Sequence, residues 1–183
     1  MKAINTFKNS KKIVIKVGSS LLTNKKGNVN KYVLKNVVKD IVWLLSSKKE
    51  VVVVSSGAIS LGRGKLNLKH DLTLNESQAV AARGQIELMT AWKNEFKKYK
   101  KQVAQILLSP SDIKNKKSSK NAMSTLENIL HFSCVPIINE NDTTSTDEIK
   151  FGDNDILAAQ IAVLINADHL ILLSNVDGLY KEP

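Results

Sequence analysis

The sequence has few of the features that mark secreted or membrane-bound proteins. Its single cysteine, Cys134, excludes a disulfide framework within the chain and gives no zinc pattern. Because Cys134 directly precedes an apolar run, we expect a buried, inert thiol. Residues 1–12 are polar and lysine-rich and lack the apolar core of a signal peptide. The longest nearly apolar stretch, 156–165, is interrupted by Gln160 and is too short to span a bilayer. We therefore expect a cytoplasmic protein with no membrane partner.

Acidic residues are scarce, and they are unevenly distributed. The 183-residue chain has 27 Lys and Arg against 17 Asp and Glu, a formal net charge of +10. Six of the 17 acids nevertheless fall between Glu140 and Asp155. Like charges this close repel one another, and a bound cation or ammonium group usually offsets that cost. The cluster therefore indicates a binding site, with a solvated acidic loop as the alternative.

The excess of basic residues raises the question of nucleic-acid binding. The lysines occur mostly as scattered pairs at the ends of apolar segments. The densest run, 93–101, lies among Trp92, Phe96 and Tyr99, which are suited to stacking on bases. Their helical spacing instead favours the buried stripe of a helix, flanked by lysines whose stems cover it. We therefore expect no nucleic-acid partner.

Apolar runs of strand length alternate with helical patterns along the chain. Strands are predicted at 13–17, 51–54, 103–108, 135–138 and 170–173. Helices are predicted at 34–45, capped by Asn30, and at 74–96, 118–132 and 153–166. Uniformly apolar strands that alternate with helices predict one α/β domain over residues 1–183, with a mostly parallel sheet sandwiched between helices. Within it, Gly84 is expected at a close packing contact and 140–151 as a short hairpin.

Small polar segments follow each predicted strand. They are residues 18–20, 55–58, 109–111, 139–142 and 174–175. Right-handed crossovers bring the carboxyl ends of parallel strands to one edge of a sheet, where ligands bind. The sequence therefore predicts a ligand site at this edge.

Lys16 lies within the first apolar strand. An unpaired buried ammonium is costly, which predicts an anionic partner unless the stem packs and the tip reaches solvent. Gly18 lets backbone amides approach a ligand, and such amide nests suit phosphate oxygens. Residues 55–60 offer hydroxyls and a glycine after the next strand, although an ordinary turn with a serine helix cap has the same composition.

Helix capping explains part of the acidic cluster. Residues 152–155 read Gly-Asp-Asn-Asp, and Asp and Asn are preferred caps whose charges complement the helix dipole. The segment Asn-Glu-Asn-Asp at 139–142 follows another strand at the same edge. Capping does not account for both segments together.

The order of five motifs is more specific than any one of them. They are Lys-Val-Gly-Ser-Ser (16–20), Ser-Ser-Gly-Ala-Ile (55–59), Ile-Asn-Glu-Asn-Asp (138–142), Phe-Gly-Asp-Asn-Asp (151–155) and Ser-Asn-Val-Asp-Gly-Leu-Tyr (174–180). This series resembles the amino acid kinase superfamily over nearly the whole chain from Lys12 onward. The third and fourth motifs, together with residues 78–85, resemble the members that act on glutamate rather than aspartokinases or uridylate kinases.

The resemblance implies a phosphotransferase. Such enzymes move the γ-phosphoryl of ATP, with Mg²⁺, to the side-chain carboxylate of L-glutamate, giving glutamyl 5-phosphate in the first step of proline biosynthesis. Catalysis then consists mainly of alignment and charge neutralisation. The resemblance also suggests a homo-oligomer, and proline as a feedback inhibitor.

The resemblance also implies roles for individual residues. Lys16 matches the lysine that stabilises the transferring phosphoryl group, and Asp155 matches the aspartate that orders the catalytic lysines. The substrate-binding positions are Ser56, Gly57, Asp142 and Asn154. The nucleotide-binding positions are Lys16, Gly18, Ser19, Ser174 and Asn175, and no residue is assigned to a metal. Many relatives have Asp where this chain has Asn175, which removes one negative charge near the nucleotide.

Part of the family pattern is absent from this sequence. Family members continue with a glycine-rich turn and a second phosphate-binding lysine, whereas no Gly-Gly pair occurs here. We therefore expect a kinase domain truncated at its C-terminus, with the substrate-binding portion present, the nucleotide-binding portion incomplete and no RNA-binding-like domain. Lost strands would leave an apolar edge that favours association.

Two alternative functions remain open. One is an inactive module that holds glutamate or proline. The other is a different carboxylate kinase of the superfamily, for example one acting on N-acetylglutamate. Asp142 argues against the second, because an acetylated amine carries no positive charge.

Overall fold

The computed structural model describes residues 7–144 and 153–175. The strands are β1 (Lys12–Val17), β2 (Glu50–Ser55), β3 (Gln102–Leu108), β4 (Cys134–Glu140) and β5 (His169–Leu173). The helices are α1 (Ser19–Leu22), α2 (Lys31–Ser46), α3 (Ala58–Leu66), α4 (Leu74–Lys97), α5 (Pro110–Lys114), α6 (Lys116–His131) and α7 (Asp153–Leu164).

The five strands form one parallel sheet in the order β3-β4-β2-β1-β5. The predicted α/β class with a parallel sheet is therefore confirmed. The long helices and strands also lie where the sequence patterns placed them, with bounds that differ by a few residues. The predicted cap of α2 is present, since the Asn30 side chain accepts a hydrogen bond from the Val33 amide. Parallel strands place all five carboxyl ends on one edge.

The sheet is covered on both faces. On one face the strands pack against buried residues of α2, α3 and α4, including Val38, Leu61 and Leu88. On the other face Val14, Val52, Val54 and Ile138 pack against α6 and α7. The central strands are apolar at nearly every position because both of their faces are buried.

Helix α4 is anchored to the sheet by two buried aromatic residues. Trp92 and Phe96 are fully buried with ring centroids 6.0 Å apart, and Tyr99 packs partly buried against the same core. The Trp92 indole N–H donates a 2.9 Å hydrogen bond to Oγ of Ser55, the last residue of β2. The aromatic stripe is thus a core feature, as the helical spacing predicted.

Helices α3 and α4 pack at backbone contact distance. A Cβ atom added to Gly84 would lie 1.7 Å from the carbonyl oxygen of Ala58, and one added to Gly62 would lie 2.0 Å from that of Val80. Any side chain at either position would force the helices apart. This confirms the predicted close contact at Gly84.

One prediction about the fold was wrong, and another falls mostly on residues that the structure does not describe. Cys134 is partly exposed rather than buried, because it begins β4 at the end opposite the polar loops. The hairpin predicted for 140–151 falls largely outside the described residues. Within the part of the chain that the structure describes, no helix is long and apolar enough to cross a membrane.

Candidate active site

Lys16 and Asp155 meet at the carboxyl edge of the sheet. Lys16 is the penultimate residue of β1 and is only 8% exposed. Its Nζ lies 2.6 Å from Oδ1 of Asp155, in the first turn of α7. The Asp155 side chain is 46% exposed, so the pair is partly open to solvent. The buried ammonium therefore has the anionic partner that its position requires.

The segment after β1 adjoins the end of β5. The Gly18 amide donates a 3.2 Å hydrogen bond to the Leu173 carbonyl, and a Cβ at Gly18 would lie 3.5 Å from the Lys16 ammonium. One residue beyond Ser19, the Ser20 hydroxyl donates to Oδ1 of Asn175 at 3.2 Å. Ser174 also contacts that oxygen, at 3.5 Å. The four residues expected to bind nucleotide alongside Lys16 are thus grouped on two adjacent strand ends.

The loop after β2 is held in a fixed conformation. The Ser56 amide donates to the Val17 carbonyl at 3.0 Å, which ties this loop to the end of β1. Gly57 precedes α3 with φ 113°, a left-handed conformation that disfavours any side chain. The N-cap of α3 is therefore Gly57, and the serine cap considered as an alternative does not occur. Ser56 and Gly57 both lie at the carboxyl edge, next to the end of β1.

Three side-chain amides connect β4, α7 and α4. Asn139 is 3% exposed near the end of β4. Its Oδ1 accepts from Nδ2 of Asn154 at 3.3 Å, and its Nδ2 donates to Oε1 of Gln85 at 2.9 Å. The amide relay, defined here as Gln85, Asn139 and Asn154, thereby fixes the start of α7 against the body of the domain.

Asp142 lies in the turn that follows β4. The Asn141 amide anchors this turn by donating to the Leu108 carbonyl at 3.0 Å. Asp142 and the buried Glu140 line a cavity of about 560 Å³ between α4, β3 and β4, together with Gln85. The cavity therefore joins the acidic turn to one end of the amide relay.

The loop after β3 is closed by a capping box. The Ser109 hydroxyl donates a 2.5 Å hydrogen bond to Oδ2 of Asp112, and the Ser109 amide donates to the same oxygen at 2.8 Å. Both bonds lower the pKa of Asp112 below its usual value, and the bond from the hydroxyl has the larger effect. Asp112 is thus a structural anion that shapes the same edge of the sheet.

Sequence reasoning missed two members of this site. Asn139 falls within the acidic segment 139–142 and Gln85 within the motif at 78–85, and neither pattern predicts a role for the individual residue. The signal for Asn139 was an amide at the end of a buried apolar strand, a position that demands a hydrogen-bond partner. In the described residues, no group of three or more His, Cys, Asp and Glu is arranged to hold a metal ion.

In this parallel α/β domain the buried lysine, the glycine loops and the acidic turn lie at the carboxyl edge of the sheet, where domains of this class bind ligands. The model of the Amino acid kinase family matches residues 11–183, and the chain belongs to this family. The family assignment agrees with the motif order read from the sequence.

Several curated relatives carry one particular name. The chain is similar to the Glutamate 5-kinase of Pelagibacter ubique, with 50% identity over 175 residues, covering 95% of this chain and 48% of the relative. It is 48% identical over 174 residues to the Glutamate 5-kinase of Thermoanaerobacter sp., covering 94% of this chain and 47% of that protein. The Glutamate 5-kinase of Clostridium acetobutylicum is 47% identical over 173 residues, covering 94% of this chain and 65% of the relative. The chain spans about half the length of the first two.

Proposed function

We propose that this chain is the substrate-binding portion of an ATP-dependent glutamate 5-kinase. The reaction transfers the γ-phosphoryl of MgATP to the side-chain carboxylate of L-glutamate, giving glutamyl 5-phosphate, the first intermediate of proline biosynthesis. Residues 1–183 form the corresponding part of an amino acid kinase domain, and the nucleotide-binding portion is incomplete within them. The names of the relatives and the motif order support this assignment.

The contact between Lys16 and Asp155 is the observation that carries the proposal. Transfer between a polyphosphate and a carboxylate brings two anions together, so a fixed cation at their meeting point lowers the barrier. The Lys16 ammonium is held at the strand end by Asp155 at 2.6 Å. Lys16 thus stabilises the transferring phosphoryl group, and Asp155 positions Lys16. Mg²⁺ arrives with ATP and neutralises part of the phosphate charge.

The remaining site residues divide between the two substrates. Gly18 and Ser19 after β1, with Ser174 and Asn175 after β5, contact the nucleotide. Ser56 and Gly57 face the acceptor carboxylate. Asp142 and Asn154 offer a carboxylate and an amide oxygen to the α-ammonium of glutamate, a charge-assisted interaction that an acetylated amine does not provide.

The same assignment predicts the cellular location, the oligomeric state and the partners of the proposed enzyme. We place it in the cytoplasm, as a homo-oligomer that binds neither nucleic acid nor a membrane, with proline as a feedback inhibitor. The unpaired side of β5 in the described sheet, where Leu172 is 50% exposed, is compatible with further strands or a second subunit at that edge.

The decisive experiment measures ADP release by the complete protein whose reading frame contains this chain. We expect turnover to require both L-glutamate and Mg²⁺. Parallel assays with L-aspartate and N-acetylglutamate test the acceptor, and omission of Mg²⁺ is the control. Equal turnover with either analogue would show that the substrate assignment is wrong. Calorimetric binding of glutamate without any ADP release would instead identify an inactive binding module.

A further inference from the structure

The amide relay has a defined polarity. Asn154 donates to Asn139, and Asn139 donates to Gln85. A primary amide has one oxygen acceptor and one nitrogen donor group, so each link fixes which way the next amide points. The two remaining polar atoms, Nε2 of Gln85 and Oδ1 of Asn154, are buried and have no hydrogen-bond partner within the described part of the chain.

The unpartnered Asn154 oxygen requires a donor. Buried polar atoms are nearly always hydrogen-bonded, and an orphaned one indicates a missing ligand or water. Oδ1 of Asn154 belongs to the residue directly before Asp155, which contacts the Lys16 ammonium. An amino group of a bound substrate is a donor that would satisfy this oxygen. If the Asn154 amide were rotated by half a turn, its NH₂ group would face the ammonium and repel it.

Gln85 is well placed to control this orientation. Its neighbour Gly84 is locked against α3, because a Cβ there would lie 1.7 Å from the Ala58 carbonyl oxygen. The backbone at Gln85 therefore has little freedom to move relative to the loop that ends at Gly57. The Gln85 oxygen, 2.9 Å from Nδ2 of Asn139, is the acceptor end of the relay.

We propose that Gln85 is a positioning residue for the amino group of the substrate. It acts through Asn139 and sets the Asn154 amide so that Oδ1 faces the ammonium of an α-amino acid. This inference rests on the proposed function, because it assumes an amino-acid substrate at Asn154. Gln85 itself touches neither reacting group.

The first test replaces Gln85 with methionine, which has similar length but no amide oxygen. In the complete protein, we expect Gln85→Met to raise the KM for glutamate about 10-fold, equivalent to about 1.4 kcal/mol, with kcat changed less than about 2-fold. Gln102→Met is the matched control, since Gln102 is the exposed first residue of β3, at the end of the sheet opposite the site. We expect its KM to remain at the wild-type value.

A double-mutant cycle separates positioning from general packing. If Gln85 acts only through Asn154, then Gln85→Met should change KM less than about 2-fold when added to Asn154→Ala.

Gln85→Glu keeps an oxygen acceptor for Asn139 and should restore most of the affinity lost in Gln85→Met. Should Gln85→Met fail to fold, Gln85→Asn takes its place, because the shorter side chain withdraws the same oxygen.

The outcomes distinguish the two proposals. If the wild-type protein neither binds nor turns over glutamate, both are overturned. If the wild type is active but Gln85→Met leaves KM unchanged, only the role of Gln85 is overturned. The same conclusion follows if its effect is undiminished in the Asn154→Ala background.

Discussion

The ammonium of Lys16 lies 2.6 Å from Oδ1 of Asp155, although the two residues are far apart in sequence. The contact joins the end of β1 to the start of α7. Lys16 is nearly buried while Asp155 is about half exposed, so the cation is held from one side and accessible from the other. An arrangement of this kind presents a fixed positive charge to an incoming anion without reorganisation at the moment of reaction.

Removing the Lys16 ammonium should therefore damage the chemical step. In the complete protein, we expect Lys16→Met to lower kcat at least about 100-fold while changing glutamate affinity less than about 3-fold. Steady-state kinetics and glutamate calorimetry measure the two effects. Lys12→Met is the control, because Lys12 lies at the opposite end of the same strand, 3.7 Å from Glu50. Equal losses in kcat and glutamate affinity would contradict the assigned role.

Asp142 should show the opposite pattern. Replacing it with alanine removes a carboxylate that we propose binds the substrate's amino group, so we expect Asp142→Ala to raise the glutamate KM about 10-fold or more with a smaller effect on kcat. The exposed Asp40 of α2 provides the control variant, Asp40→Ala. A kcat effect larger than the KM effect would assign Asp142 to catalysis instead.

Much of the fold was predictable because the central strands are buried on both faces. Continuous apolar runs such as 51–54 leave little choice but a covered parallel sheet, and that topology brings the polar segments to one edge. The need of Lys16 for an anion was also predictable from the cost of burying a charge. The family resemblance of the motif at 151–155 implied that this anion is Asp155, whereas no local pattern encodes the docking of α7 that brings Asp155 to Lys16.

Sequence patterns did not predict three kinds of feature: very short helices, the backbone conformation of a single residue, and contacts between residues far apart in the sequence. Helices α1 and α5 have four and five residues, too few for a helical period to be visible. The left-handed Gly57 cap depends on one backbone torsion. The contact of Gln85 with Asn139 joins residues that are 54 positions apart, and its presence follows from the seating of α4 on the sheet.

The bond between Trp92 and Ser55 should contribute measurably to stability. Ser55→Ala would leave a buried indole N–H without a partner, and we expect a loss of about 1–3 kcal/mol in the free energy of unfolding. Urea denaturation measures this loss. Ser46→Ala, which removes an exposed hydroxyl bonded to the Trp43 carbonyl, should cost less than about 0.5 kcal/mol. If Ser55→Ala costs as much in a Trp92→Phe background, the indole bond is not the cause.

Gly84 should tolerate no side chain. A Cβ there would lie 1.7 Å from a backbone carbonyl oxygen, so α3 and α4 must separate. We expect Gly84→Ala to lower Tm by about 5 °C or more despite the higher helix propensity of alanine. Gly18→Ala is the matched control, because its Cβ would meet no atom closer than 3.4 Å and its φ is −71°. A thermal scan in which both variants lose the same Tm would refute this packing argument.

Asp168 should stabilise the fold in a pH-dependent way. Its Oδ2 accepts hydrogen bonds from the amides of Lys12 at 2.8 Å and Lys11 at 2.7 Å, which ties the turn before β5 to the start of β1. Both bonds lower the pKa of Asp168 below its usual value, and the bond from the Lys12 amide has the larger effect. A carboxyl group whose pKa is lower in the folded than in the unfolded state contributes stability above the unfolded pKa, about 3.9 for Asp. That contribution is lost as the pH falls through the folded pKa.

We therefore expect wild-type protein to melt at a higher temperature than Asp168→Ala at pH 7, and the difference to shrink steadily below about pH 4. Thermal scans from pH 7 to pH 3 measure it. Asp168→Asn is the matched comparison, since it keeps one oxygen acceptor but cannot ionise. Its Tm advantage over Asp168→Ala should not change over this range, because neither side chain titrates. A wild-type advantage that stayed constant or grew toward acid would show that the charged form of Asp168 is not the stabilising one.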